Sequence, residues 1–405
     1  MGNSKNIWII NQYCGSPYHG MNFRSYYLAK EFIQDNKVTI FSGSYSHLFK
    51  SQPKTRGIFT DEKIDGINYV WVKTPKYSGS KSIGRVLNMM IFMINLFFFN
   101  IFKIQKPDVI IVSSLSLFPV LNAYIWSKIF RIKFIFEVRD IWPLTLIELG
   151  SISKTHPLVI LLGWFERLGY KKAKYVVSLL PNAKNYMIDK GMNKNKFIHI
   201  PNGINLEEAK EYQEISEKIK LMIPSNKFIV GYLGTVGIAN ALEYLICAAD
   251  IIKDNRNIHI LIVGNGGEKD KLQEYCIKNN MKNITFIGVI PKVEVQSMLK
   301  VFDICYIGWH NKALYNLGIS ANKIFDYMYS EKPVLHSISA SNDIIDDAKC
   351  GITVKAENSN DIANGILTLY KMRKENLLEF GKNGKQYVKN MHSYEMLAKR
   401  YMDLF

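Results

Sequence analysis

Short apolar runs rich in β-branched and aromatic residues recur along the chain, separated by stretches whose apolar positions repeat at helical spacing. In the first half Ile7–Tyr13, Lys37–Gly43, Ile67–Thr74, Asp108–Ser114, Lys133–Asp140, Tyr175–Leu180 and Phe197–Asn202 read as strands. Helices are predicted between them at about 21–34, 86–102, 119–130, 156–172 and 182–190. After a charged stretch at 207–220 the rhythm returns, with strands Phe228–Leu233, Ile258–Val263, Ile284–Gly288, Ile304–Gly308 and Pro333–Ser337. Helices 240–253, 268–278, 292–299 and 321–330 alternate with these, and the last 45 residues read as helical. Strands apolar on both faces, each followed by a helix, argue for parallel sheets covered on both sides. The pattern predicts an α/β protein of two Rossmann-like domains facing each other across a cleft. The first spans 1–203 and is completed by the C-terminal helix 392–405; the second spans 204–391.

One helix departs from the amphipathic norm. Between Arg85 and Lys103 lie 17 uncharged residues, 14 of them apolar. As a helix they reach about 26 Å, slightly short of a bilayer's hydrocarbon core. A span there would split the strands on either side of it between two compartments. Phe97, Phe98 and Phe99 point about 100° apart on a helix, so one core-facing stripe cannot absorb all three. Contact with a membrane surface is the favoured reading, ahead of a buried helix and of a true span.

Charge sharpens that reading. The chain of 405 residues carries 52 Lys and Arg against 35 Asp and Glu, a net +17. Residues 1–200 hold +16 of it and the remainder +1. The basic residues are 43 Lys and 9 Arg without a stacking motif, which suits a diffuse anionic surface better than nucleic acid. Arg167, Lys171 and Lys172 beside Leu and Trp residues make helix 156–172 a second docking candidate. Five scattered cysteines without a CxxC or a Cys/His cluster exclude a zinc site and a disulfide framework.

The segment Leu317–Met328 is the richest in chemistry. Ser320 is the expected N-cap of a helix carrying Asn322 and Lys323 in its first turn, with Asp326 on the same face. Free backbone N–H groups and a lysine there suit a diphosphate, and a carboxylate suits ribose hydroxyls. A solvated Lys–Asp pair on a capped helix is the plain alternative. Glycine-rich loops at Gly15–Gly20, Gly231–Gly237 and Gly264–Gly267 follow strands, where ligands meet such sheets. Glu137, Arg139 and Asp140 end a buried strand; they either face the cleft or form an internal ion pair.

The motifs HGMNFRSYYLAKEF (19–32), KPDVIIVSS (106–114), VRDIWP (138–143), IPNGIN (200–205), GYLGTVGIANALEYLICAA (231–249), IVGNGGEKDKL (262–272), FIGVIPKVEV (286–295) and GISANKIFDYMYSEKPVL (318–335) cover almost the whole chain. In this order they resemble the bacterial family 4 glycosyltransferases of the GT-B fold. The resemblance is strongest to the O-antigen and capsule branch that includes N-acetyl-L-fucosaminyltransferases. It implies retaining transfer, without metal or cofactor, of an N-acetylated amino or deoxy-amino sugar from a UDP-linked donor. The acceptor implied is a polyprenyl-diphosphate-linked saccharide of surface-polysaccharide biosynthesis, at the cytoplasmic face of the bacterial inner membrane.

By the same resemblance Lys323 and Asn322 hold the diphosphate, and Asp326 falls at the second acid of a two-acid motif and binds ribose. Gly318 replaces the first acid, so sugar contacts pass to the backbone around Gly318, Ile319 and Ser320. Gly288, Val289 and Ile290 match the loop that takes the base, and Gly20, Gly234, Thr235, Gly264 and Asn265 complete the donor set. Thr235 and Asn240 stand where many members carry Arg and Lys, which leaves more of the leaving-group charge to Lys323 and to Arg24. Arg139-Asp140 match a His-Asp pair and are assigned with Lys323 to catalysis; His19 and Glu137 are assigned to the acceptor side. An epimerase on the same fold and a non-catalytic membrane scaffold remain as alternatives.

Overall fold

A computed structural model describes residues 4–20, 23–79 and 82–405. The expected start of the first helix at residue 21 lies outside them. The chain divides into two units, one running to Asn202 and resuming at Tyr394–Phe405, the other Gly203–Ser393.

In the first unit the strands are β1 (Asn6–Ile10), β2 (Lys37–Gly43), β3 (Phe59–Ile64), β4 (Ile67–Val72), β5 (Val109–Ser114), β6 (Lys133–Val138), β7 (Tyr175–Ser178) and β8 (Phe197–His199). They form one sheet in the order β3-β4-β2-β1-β5-β6-β7-β8, parallel except for β3. β1 sits at the centre, pairing Ile7 with both Val38 and Val109, and all five of its residues are buried. The polar edge strand β3 escapes the apolar pattern. It is joined to β4 by Asp65-Gly66, both at positive φ, the backbone of a tight hairpin turn.

In the second unit β9 (Phe228–Leu233), β10 (Ile258–Val263), β11 (Ile284–Ile287), β12 (Ile304–Gly308), β13 (Val334–Ser337) and β14 (Gly351–Val354) form a wholly parallel sheet, order β11-β10-β9-β12-β13-β14. The order reverses beside β9, so the loops after β9 and β12 diverge at its carboxyl edge, where open α/β sheets bind ligands. β14 is a four-residue, half-exposed edge strand and had no signal in the sequence pattern.

The apolar helix runs Ile83–Phe97, so Phe98 and Phe99 lie beyond its end. Among the described residues no helix is long and apolar enough to cross a membrane. Phe99 corrects the sequence reading: it is buried, edge-on to Phe41 and Phe59 at 5.1 Å each. Phe97 and Phe98 remain exposed. With Ile83, Leu87 and Ile94 they form an outward stripe, opposite the buried Met89, Phe92 and Leu96.

A buried ion pair ties remote parts of the first unit together. Arg24, opening helix Arg24–Phe32, donates from Nε to Glu137 Oε1 at 2.8 Å, and its terminal nitrogens donate to the carbonyls of Ile200 and Pro201. Glu137 also accepts from Ser113 Oγ at 2.6 Å and from the Tyr401 hydroxyl of helix Tyr394–Met402. Arg24 and Glu137 are 2% and 1% exposed, so neither is free to meet a ligand. This corrects the assignment of Arg24 to the donor and of Glu137 to the acceptor; the internal pair is the reading realised, with Arg24 as partner. His19 is likewise buried, its ring bonded to Ser16 Oγ at 2.8 Å and packed on Trp71, so it too is structural.

Burial pushes the Glu137 carboxyl up. The Arg24 and Arg139 charges and the two hydroxyl donors outweigh that and bring it from an ordinary 4.5 down to about 2. Its stabilising contribution is therefore whole above pH 4.5 and is lost as pH falls towards 2. Glu137→Gln, which strands a buried guanidinium, should cost about 3–5 kcal/mol in chemical denaturation at neutral pH. The gap to wild type should narrow below pH 4.5, and a gap independent of pH would exclude an ionised pair.

Candidate functional site

At the carboxyl edge of the second sheet, β9 ends in Tyr232-Leu233 and turns through Gly234–Gly237. The helix Asn322–Tyr329 returns to this edge from β12 and is tied to it twice. Tyr327 Oη accepts from the Leu233 N–H at 2.8 Å and donates to the Leu233 carbonyl at 2.9 Å. Lys323 Nζ donates to Tyr232 Oη at 2.8 Å and to Asn240 Oδ1 at 2.5 Å, and lies 4.7 Å from the Tyr232 ring centroid. Tyr232 and Asn240 in turn both donate to the Thr235 carbonyl, at 2.6 and 2.9 Å, which fixes the loop around the lysine.

Every side chain holding Lys323 is neutral. Among the described residues no carboxylate stands within ion-pair distance of it; the plain alternative of a Lys323–Asp326 pair is not formed. Burial, with no compensating charge, pushes this half-buried ammonium down to about 7. An anion delivered here would restore its charge and gain a charge-assisted hydrogen bond. Asp326 lies one turn on. Burial pushes its carboxyl up to about 6, while Lys292 pulls it back and Glu208 adds to the rise.

The glycines shape this site, in part differently from the sequence reading. A side chain on Gly234 would come within 3.0 Å of Lys323 Nζ, so its absence makes room for the lysine. A Cβ on Gly264 would stand 1.9 Å from the Gly234 carbonyl. Gly264 thus permits the close packing of two loops. The helix is capped by Ala321, not Ser320, without a side-chain capping bond, so Asn322 is its first residue and is exposed. Two of the backbone amides expected to meet the sugar are already engaged: the Gly318 N–H donates to the Tyr315 carbonyl at 3.0 Å, and that of Ile319 to Asn342 at 3.0 Å.

The remaining assigned residues fall as follows. Thr235, Asn265, Gly288 and Val289 are exposed and Ile290 half-buried, on the loops after β9, β10 and β11. In the first unit Gly20, at φ +82°, packs against Lys50. Arg139 and Asp140 follow β6, Arg139 half-buried with its N–H on Ser114 Oγ at 3.0 Å and Asp140 exposed. Arg167, Lys171 and Lys172 are exposed on helix Pro157–Lys172. Sequence reasoning missed Tyr232, Tyr327 and Asn342; the tyrosines sit in apolar-looking runs, where only strand and helix register points their hydroxyls to the site. No cluster of three His, Cys, Asp or Glu residues able to hold a metal occurs among the described residues.

Known proteins are similar to this chain over both units. The model of Glycosyltransferase Family 4 matches residues 18–208, and that of Glycosyl transferases group 1 matches 213–387, which contains Lys323 and its partners. The chain is a GT-B glycosyltransferase. A glycosyltransferase of Methanocaldococcus jannaschii, itself uncharacterised, is 25% identical over 316 residues, 76% of this chain and 77% of its own. WcaI of Escherichia coli, a glycosyl transferase named for colanic acid biosynthesis, is 26% identical over 61% of this chain and 62% of its own. Among solved structures, sucrose-phosphate synthase of Thermosynechococcus elongatus has a TM-score of 0.74 at 14% identity, over 99% of this chain and 98% of its own. HepE of Anabaena, solved with UDP and glucose, scores 0.67 at 14% identity over 99% of each chain. These likenesses carry the fold.

The glycosyltransferase's Lys323 can be tested without any substrate. Competitive acetylation followed by mass spectrometry should give Lys323 an inflection near pH 7, against about 10.4 for ordinary lysines. Saturating UDP should move that inflection upward. An unshifted value in the free protein would contradict the neutral cage.

Proposed function

We propose that the enzyme transfers an N-acetylated amino or deoxy-amino sugar, with retention, from a UDP-linked donor to a polyprenyl-diphosphate-linked saccharide in surface-polysaccharide biosynthesis. The observation that carries this reading is Lys323: a half-buried lysine at a helix N-terminus at a sheet's carboxyl edge, held among the described residues by neutral side chains alone. Such a site favours a multiply charged anion. In the proposed reaction the bond between the anomeric carbon and the diphosphate breaks. The acceptor hydroxyl oxygen bonds to that carbon on the same face, and its proton passes to the departing phosphate. Lys323 and the helix amides stabilise the charge that develops on the diphosphate, with no metal. Asp326 is proposed to bind ribose and Gly288–Ile290 the base, and Asp140 with Arg139 to act in catalysis, by positioning or proton transfer. HepE's complex with UDP and glucose supports a UDP donor by likeness of fold, and WcaI's name supports a polysaccharide pathway.

The surface of the first unit supports a membrane-borne acceptor. Helices Ile83–Phe97 and Pro157–Lys172 both pack against helix Val120–Phe130 and so flank it. The first presents Ile83, Leu87, Ile94 and Phe97 outward; the second presents Ile160, Leu161 and Trp164, continued by Arg167 and Lys171. This unit also carries nearly all of the +17 net charge. Exposed apolar side chains on a strongly basic unit suit an anionic leaflet, and we place the enzyme peripherally at the cytoplasmic face of the inner membrane.

Purified enzyme incubated with UDP-, GDP- and dTDP-sugars and a lipid-linked acceptor should form product from a UDP-sugar. Lys323→Ala should cut turnover by roughly a hundredfold or more with the fold intact; near-wild-type turnover would remove Lys323 from the diphosphate site. Phe97→Ser/Phe98→Ser and Trp164→Ser variants should each lose flotation with phosphatidylglycerol vesicles. Binding should also weaken between about 0.1 and about 1 M salt, as the Debye length shortens to about 3 Å. Unchanged flotation in both variants would exclude these helices as the contact.

A further inference from the structure

We propose that Asn342 is a positioning residue for the donor sugar, acting through the backbone of Ile319 beside Gly318; this rests on the reading of 318–326 as the donor segment. Gly318 adopts φ +112°, a conformation side chains strain to reach, so an acid at this position could not simply be restored. The segment is instead shaped from outside. Asn342 Oδ1 accepts the Ile319 N–H at 3.0 Å while its Nδ2 donates to the Ile319 carbonyl at 3.2 Å. One primary amide thus satisfies both polar groups of one residue, as a neighbouring strand would. Beside it, Ser341 Oγ donates to the Asn316 carbonyl at 2.8 Å.

The clamp is itself anchored to the sheet. Asp343 accepts from the Ile345 N–H at 3.0 Å and from Thr353 Oγ1 on β14. It also lies 2.9 Å from Nδ1 of the buried His336 on β13. Trp309 Nε1, which can only donate, points at His336 Nε2 at 3.2 Å. The imidazole proton therefore resides on Nδ1 and is given to Asp343. This chain of bonds runs from Trp309 after β12, through β13 and β14, and leaves Asn342 little freedom. The clamped segment leads directly into Asn322 and Lys323, so it borders any group attached to a phosphate held there.

Asn342 therefore determines which sugar fits, and the nucleotide does not depend on it. Isothermal titration of the full chain with UDP and with a panel of UDP-sugars separates the two. Asn342→Ala should leave UDP affinity within about twofold, weaken the tightest UDP-sugar about tenfold, as expected for one lost hydrogen bond, and flatten the preference among sugars. Asn342→Asp keeps the acceptor for the Ile319 N–H and should recover part of that preference. Equal weakening of UDP and UDP-sugar in Asn342→Ala, or weakening of neither, would overturn the proposal while leaving the donor site in place. Wild-type protein that binds no UDP-, GDP- or dTDP-linked ligand would overturn the donor segment itself, and the role of Asn342 with it.

Discussion

A charge taken out of water must be matched, and the two units of this protein treat that constraint in opposite ways. In the first, Arg24 and Glu137 match each other in full. The pair also gathers the end of β6, the first helix, the carbonyls of Ile200 and Pro201 and the Tyr401 hydroxyl. Such a pair adds little net stability over apolar packing, because desolvation consumes most of its Coulombic gain. What it fixes is connectivity: removing one partner leaves the other stranded. The C-terminal helix is therefore bound to the sheet by a specific polar network, and to the first helix by aromatic contacts such as Tyr27 with Tyr394.

In the second unit the match is withheld. Lys323 receives two good acceptors and an aromatic face but no carboxylate. A fully paired lysine would be inert towards a diphosphate, since an incoming anion would have to displace its partner. A lysine caged by a phenol and an amide is disfavoured as a cation in the free protein and regains its charge when an anion arrives. Asn240 is central to this, because its side-chain carbonyl accepts from Lys323, where a lysine would instead set a second cation beside the first.

Much of this was legible in the sequence, but unevenly. Buried parallel strands such as β1, β5 and β10 announce themselves by continuous apolar runs. The edges do not, because an edge strand exposed to solvent needs no apolar pattern; for β3 only the Asp65-Gly66 turn could have revealed it. Lys323 and Asp326 stood out by spacing on one helix. Arg24 and Glu137 lay in equally distinctive motifs, and nothing local separates a charge that meets a ligand from one that meets another part of the chain. That difference depends on two residues 113 positions apart being folded together, which spacing cannot express. The need for glycine at Gly264 is equally illegible locally, because the crowding there comes from the Gly234 carbonyl thirty residues earlier.

The apolar helix shows how far composition alone carries. Seventeen uncharged residues suggest either a membrane or a core, and the fold divides them between a buried face and an exposed one. Met89, Phe92, Leu96 and Phe99 face inward, while Leu87, Ile94, Phe97 and Phe98 face outward. A single soluble unit needs only the inward stripe, so the outward one is surplus to folding and costs solubility unless something covers it. The net positive charge of this unit would repel a second copy of it and attract an anionic surface. The proposed peripheral membrane site thus follows from two features together: an apolar face that folding does not explain, and a charge that self-association does not tolerate.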